Sequence, residues 1–241
     1  MGRGIEAVTF DYWNTLCYEE PGHMRGRRLE AWSGLLEDAG YATERQTLSQ
    51  VLDRRWEQFV ARWTAGEQYA YAEAAAEIIE DLGYDLPPDV HDAIVEASGR
   101  VGDEADLHLV PNADTAVRDL KKRGVKVGIV CDVGLVPSTA LRGHLERHGL
   151  LGEFDHWSFS DEVGHYKPSR AIFEHALDGL GAEPATTAHV GDLRRTDVAG
   201  ALAMGMTAVR FTGIFDDDST TDPEAHHVIA DLGELVAVLG L

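Results

Sequence analysis

Four short stretches of the 241-residue chain carry residues that could do chemistry together. The first is Asp11, which ends the apolar run Ile5 to Phe10 and precedes Tyr12-Trp13-Asn14-Thr15. The second is Cys131-Asp132, delivered by the apolar run Val125 to Val130. The third is Lys167, within Gly164-His165-Tyr166-Lys167-Pro168. The fourth is Gly191-Asp192 after Thr187 to Val190, with Asp197 about one helical turn further on. Taken singly these are ordinary residues: Asp11 would start a turn, Lys167 would be a surface lysine, Asp192 a helix cap. Taken together they are a different object. Carboxylates from separate strands do not stay ionised side by side unless a cation joins them. Oxygen donors of this kind suit Mg²⁺, which keeps several waters and binds through one or two carboxylates plus substrate phosphate.

The elements that must position these residues follow from hydrophobic patterning. Ile5 to Phe10 reads as a strand, and Thr15 to Gly22 as a loop. From about His23 to Arg100 the pattern turns helical. Leu29, Trp32, Leu35 and Leu36 recur at helical spacing, as do Leu48, Val51, Leu52, Trp56, Phe59 and Val60. Two more helices are expected over Ala72 to Leu82 and Val90 to Ala97, separated by Pro87-Pro88. Thr43 is the expected start of the second helix, and Gly83 the stop of the third.

After Pro111 strands and helices alternate. Helices are expected over Asn112 to Arg123, Pro137 to His148, Ser169 to Leu180 and Arg195 to Met204, the third opened by Pro168. A last helix is expected over Leu232 to Leu239. Strands are expected over Val125 to Val130, Trp157 to Phe159, Thr187 to Val190, Thr207 to Phe211 and Val228-Ile229. Apolar strands alternating with helices imply an α/β fold, a parallel sheet with helices on both faces. In such sheets ligands bind beyond the carboxyl ends of the strands, where Asp11, Cys131 and Asp192 fall.

Composition narrows the function classes. A net charge of −21 with no basic run opposes binding to nucleic acid or an anionic membrane surface. No apolar run approaches the roughly 20 residues of a membrane helix. Met1-Gly2-Arg3-Gly4 runs straight into the first strand without a signal-peptide segment, so a cytoplasmic protein is expected. Two cysteines, Cys17 and Cys131, make no disulfide framework. The 11 histidines, His144, His148, His226 and His227 among them, form no zinc spacing. Oligomeric state is not legible.

With these residues in view, the chain resembles the haloacid dehalogenase-like hydrolases, and the likeness covers essentially its whole length. Asp11 to Leu16 is similar to the family's first motif, and Cys131-Asp132 holds the place of its second. Lys167-Pro168 holds that of the third, and Gly191-Asp192 with Asp197 that of the fourth. The resemblance implies a Rossmann-like core over 1–16 and 105–241 with an inserted four-helix cap over 17–104. It implies that Asp11 is a nucleophile forming a covalent aspartyl intermediate, and that Lys167 holds Asp11 and the substrate's negative charge. It implies that Asn14, Thr15, Cys131 and Asp132 bind a small anionic substrate. It implies a Mg²⁺ ion held by Asp11, Asp192 and the Trp13 carbonyl, with Asp197 as a further ligand or as the orienter of a metal-bound water.

Two positions depart from the family's phosphatases. They carry a second Asp two residues after the nucleophile, as acid and base, where this chain has Trp13. An indole neither gives nor takes a proton usefully at neutral pH. Such help is worth about 10²–10⁴-fold in rate. The dehalogenase branch has an aromatic residue there, because a departing halide needs no proton. The second departure is Cys131, where a hydroxyl normally donates to a phosphoryl oxygen. Three readings stand: a Mg²⁺-dependent phosphatase on a small phosphorylated metabolite, a metal-independent 2-haloacid dehalogenase, and a non-catalytic binding protein. Arg25, Arg27 and Arg28 read as a solvated basic turn, with reach towards an anionic substrate as the alternative. The aromatics Trp32, Trp56, Trp63, Tyr69 and Tyr71 read mainly as helix packing, and their facing is not legible.

Overall fold

The structure, a computed structural model, describes residues 4–100 and 107–241. The expected core–cap boundary at 104/105 and the residues 1–3 lie outside the described residues. Contacts divide the chain into two compact units. One comprises Met1–Tyr18, Leu107–Asp132 and Leu145–Leu241; the other comprises Glu19–Asp106 and Val133–His144.

The first unit is built on a sheet. Its strands are β1 (Ala7–Phe10), β4 (Lys126–Cys131), β5 (His156–Phe159), β6 (Thr187–Gly191), β7 (Thr207–Phe211) and β8 (His227–Ile229). Their order is β5-β4-β1-β6-β7-β8, with every pairing parallel. β1 and β6 are buried at every position, which is why they read as continuous apolar runs rather than as alternation. The chain leaves β1 for β4 and β5 on one side, then returns to β6 on the other. The order therefore reverses at β1, the place where open sheets of this type form a crevice. Phe10 pairs with Ile129 on one side and Val190 on the other, so Asp11 emerges between the ends of β4 and β6.

Helices α5 (Ala113–Lys122), α8 (Arg170–Leu180) and α9 (Ala199–Met204) belong to this unit. Ile172, Phe173, Ala176 and Leu177 of α8 pack with Val198, Ala201 and Met204 in one cluster. The spacing of the α8 residues keeps them on one helical face.

The second unit is helical: α1 (His23–Asp38), α2 (Arg45–Ala65), α3 (Tyr71–Asp81) and α4 (Pro88–Arg100). Its core joins Leu29, Trp32 and Leu36 of α1 to Leu48 and Val51 of α2, Ala75, Ile78 and Ile79 of α3, and Ile94 of α4. The expected four-helix insert is present, and so is the α/β core with its six parallel strands. Among the described residues no helix is long and apolar enough to cross a membrane.

Local expectations fail where side chains find partners that patterning does not reveal. Thr43 does not start α2; its hydroxyl lies 2.7 Å from the Tyr84 hydroxyl, and Glu44 occupies the cap position. Pro168 does not open α8. The Lys167–Pro168 peptide is cis, and Ser169 caps the helix, its hydroxyl accepting from the Ala171 N–H. The loop expected over 15–22 contains a strand, β2 (Cys17–Tyr18), paired antiparallel with β3 (His108–Leu109). The helix expected from Arg195 begins as a π-helical turn over Arg194–Val198. The three arginines of the supposed basic turn lie in the first turns of α1. The acidic loop after β7 is tied down: Arg210 pairs with Asp216 and Glu224, and Arg194 with Glu224.

Candidate active site

Asp11 directly follows β1, and its backbone N–H donates to the Val190 carbonyl at 2.8 Å. The chain then bends at Asn14, whose φ of 56° lies in the left-handed region that asparagine tolerates better than most residues. That bend brings the Asn14 amide to Asp192, with Nδ2 donating to Oδ2 at 3.2 Å. Asp192 itself follows β6. Asp197 returns on the π-helical turn, and its carboxylate packs against Gly191. A Cβ on Gly191 would stand 2.2 Å from the Asp197 carboxyl carbon, so this close approach requires glycine.

One lysine joins the group. Lys167 Nζ donates to Asp11 Oδ1 and, at 2.7 Å, to Asp197 Oδ1. All four charged residues are buried. Asp11, Asp192 and Asp197 each offer an oxygen within 4.8 Å of the others. Asp132 fixes the lysine's backbone, its Oδ1 accepting the Lys167 N–H at 2.9 Å.

His189 is a member of the group that patterning did not single out. It lies inside β6, buried, with Nε2 2.9 Å from Asp197 Oδ1 and Nδ1 2.9 Å from Thr9 Oγ1. Burial lowers its pKa, so the neutral ring is favoured. The tautomer that satisfies both contacts donates from Nε2 to the carboxylate and accepts at Nδ1 from Thr9. Phe173 meets the ring edge-on at 5.1 Å between centroids. Asp197 Oδ2 accepts from the Leu193 N–H and the Thr196 hydroxyl, both at 3.2 Å. Asp197 is thus held by four donors.

These surroundings separate three carboxylates of one type. Burial pushes Asp11 up to about 7, against the pull of the Lys167 ammonium. Burial also raises Asp192 well above its ordinary value, and the charges of Asp11 and Asp197 add to this. Burial works against Asp197 too, yet Lys167 and the His189 N–H hold it below the usual carboxylate range. Lys167 is held well above its ordinary value, because Asp11 and Asp197 outweigh its burial.

The other residues expected at the site are placed as follows. Thr15 is buried, and its hydroxyl has no hydrogen-bond partner among the described residues. Cys131 is buried at the end of β4, and burial pushes its thiol pKa well up. Trp13 is half-buried beside the Tyr12 ring. Its carbonyl accepts no hydrogen bond among the described residues, since the turn is closed by Asn14 N–H to Cys17 and Cys17 N–H to Tyr12.

The donor set fits a hard divalent cation. Three buried carboxyl groups share one ammonium and a neutral imidazole, so burial and mutual repulsion favour the protonated forms of Asp11 and Asp192, and a divalent cation between them would let both ionise. The oxygens available on Asp11 and Asp192, with the unpartnered Trp13 carbonyl, are the ligand type that Mg²⁺ takes.

Known proteins share the sequence and the fold of this chain. Residues 5–205 match the model of the haloacid dehalogenase-like hydrolases. A ribulose-1,5-bisphosphate 5-phosphatase of Halopiger xanaduensis is 30% identical over 241 residues, covering 95% of this chain and 97% of the relative. Among solved structures, a HAD phosphatase of Thermococcus onnurineus is similar with a TM-score of 0.65 and 26% identity, covering 98% of each chain. A 2-haloacid dehalogenase of Pseudomonas syringae shares the fold with a TM-score of 0.73 at 22% identity, again over 98% of each chain. The chain belongs to the haloacid dehalogenase-like hydrolase family, with a helical cap inserted after its first strand.

Proposed function

We propose that the protein is a Mg²⁺-dependent phosphatase acting on a small phosphorylated metabolite through an aspartyl-phosphate at Asp11. The observation that supports this is the donor set: Asp11, Asp192 and Asp197 are buried with oxygens close together, and Lys167 pairs with only two of them, Asp11 and Asp197. The full-length relative named as a sugar-bisphosphate phosphatase is consistent with it.

In this reading the Asp11 carboxylate attacks phosphorus, and the bond from phosphorus to the leaving oxygen breaks. Lys167 holds the attacking carboxylate in place and offsets charge on the transferred group. Asp11, Asp192 and the Trp13 carbonyl would hold the metal, which when bound would neutralise phosphoryl oxygens and fix the line of displacement. Asp197, held by four donors, keeps Lys167 aimed. Asn14 orients Asp192, and Thr15 and Cys131 contribute to the substrate pocket. Asp132 acts on the substrate through the Lys167 backbone. Water then hydrolyses the acyl phosphate and restores Asp11.

Trp13 provides no proton for the leaving oxygen, so good leaving groups are favoured. The test is phosphate release from p-nitrophenyl phosphate and from an alkyl phosphate, with Mg²⁺ and with chelator. Release should need Mg²⁺, run faster on the aryl ester, and fall at least about 10³-fold in Asp11→Asn.

Trp13 also supports a second reading, attack of Asp11 on carbon with loss of halide. Halide release from 2-chloropropionate that persists in chelator would establish it, and phosphate release that needs Mg²⁺ would exclude it.

A further inference from the structure

Three consecutive aspartates after β7, Asp216-Asp217-Asp218, have three different surroundings. Asp216 accepts from Arg210. Asp218 is exposed, and its carboxylate makes no hydrogen bond or ion pair among the described residues. Asp217 is half-buried and bonded to the start of the π-helical turn. Its Oδ2 accepts the Arg194 N–H at 2.7 Å, its Oδ1 accepts the Ser219 N–H at 2.9 Å, and its carbonyl accepts from Arg194 Nε at 3.1 Å.

Arg194 opens the turn that links Asp192 to Asp197. The first amides of a helical turn have no partner within it, and a local Ser, Thr, Asp or Asn commonly supplies one. Leu193 holds the cap position here and has no side-chain acceptor to offer. Two carboxylates do the work instead. Asp197 Oδ2 accepts the Leu193 N–H at 3.2 Å, and Asp217, 23 positions beyond Arg194, accepts the next amide. A second tie holds the same turn. Arg210 on β7 is the register partner of Gly191 on β6. Its guanidinium takes Glu224 with two bonds, at 2.9 and 3.0 Å, and Arg194 Nη2 reaches the same carboxylate at 2.6 Å. Glu224 thus joins the strand beside Gly191 to the turn that follows Asp192. Hydrogen bonds with an ionised acceptor are roughly twice as strong as neutral ones.

We propose that Asp217 is a positioning residue for the cation site: it fixes the turn between Asp192 and Asp197, so that both carboxylates are in place before the ion binds. It acts only through the backbone of that turn. A ligand on a loose turn must be ordered when the ion binds, which weakens binding. Contacts that orient metal ligands commonly change affinity by about 10–100-fold. The consequence for the metal rests on the phosphatase reading; the hold on the turn does not.

The test uses the full chain and two readouts, amide hydrogen exchange over residues 192–198 in chelator and calorimetric Mg²⁺ affinity. Asp217→Ala should speed exchange there at least about tenfold. It should weaken Mg²⁺ binding about threefold to thirtyfold, less than loss of a direct partner of a ligand. Asp217→Asn keeps an oxygen for the Arg194 N–H and should stay within about threefold of the wild type in both readouts. Asp218→Ala removes the same charge from the same loop without removing a bond, and should change Mg²⁺ affinity less than about twofold. Unchanged exchange in Asp217→Ala overturns the proposal. So does faster exchange with unchanged Mg²⁺ affinity, which is what a merely structural tie would give. Losses in Asp217→Asn or Asp218→Ala equal to those in Asp217→Ala would trace the effect to charge, and overturn it as well. A wild type that binds no Mg²⁺ would sink the phosphatase reading, and exchange would still decide whether Asp217 holds the turn that carries Asp197.

Discussion

Lys167 and Arg28 are both cations drawn out of water, one in each unit, and the protein treats them in opposite ways. Lys167 is buried in the sheet unit with two carboxylates on its ammonium. Arg28 is half-buried in the helical unit with no acceptor on its guanidinium among the described residues. A buried cation bonded on several sides is part of a prebuilt machine, in which each charge holds its neighbours in place. A half-buried cation without a protein partner keeps part of its hydration instead.

The largest effect on this contrast should come from Lys167→Met. It leaves Asp11 and Asp197 buried without their partner, so metal-free stability at pH 8 should fall by about 3–5 kcal/mol. Arg28→Gln removes no protein partner and should change stability by less than about 0.5 kcal/mol. Chemical denaturation of both variants would break the contrast if the two losses were alike.

The pH dependence sharpens it next. Asp11 and Asp192 have folded pKa values above their unfolded ones. Their contribution to stability is fully present below the unfolded value of 3.8 and is lost as pH rises through the folded value, about 7 for Asp11. Asp197, shifted the other way, contributes above 3.8 and loses its contribution below it. In chelator the melting temperature of the wild type should therefore drop, relative to Asp192→Asn, between pH 5 and 8. Parallel curves would mean that Asp192 carries no such burden.

The smallest effect concerns His189. Removing its N–H from Asp197 in His189→Phe should cost about 1–3 kcal/mol of stability and reduce turnover modestly, since Lys167 remains. His189→Gln, which can offer a donor, should recover part of the turnover. Equal loss in both variants would reduce His189 to a packing residue.

Much of the sheet unit was legible because parallel strands buried on both faces write themselves as apolar runs, and a charge at the end of a run is conspicuous. Asp11 and Asp192 were found that way. His189 was missed because it sits within such a run. The signal was available: Thr9 and His189 are polar residues inside buried strands, and they are register partners in the β1–β6 pairing. Asp197 was placed by spacing, but its four donors were not, because Lys167 is remote in sequence, His189 lies within an apolar run, and the Leu193 and Thr196 contacts depend on a π-helical turn that periodicity does not reveal. The helical unit was less legible. Its four helices follow from periodicity, but periodicity does not say that Arg25 meets Asp53 while Arg28 meets a pocket. That difference depends on where α2 and α3 lie against α1.

On this reading the buried carboxylates form a working divalent-cation site. Calorimetric titration of Mg²⁺ into the metal-free chain at pH 8, repeated on Asp192→Asn, tests it most directly. The wild type should bind one ion, and the variant should bind it at least about tenfold more weakly, as loss of a charged ligand requires. Equal binding by both proteins, or none by the wild type with a phosphate mimic present, would contradict it.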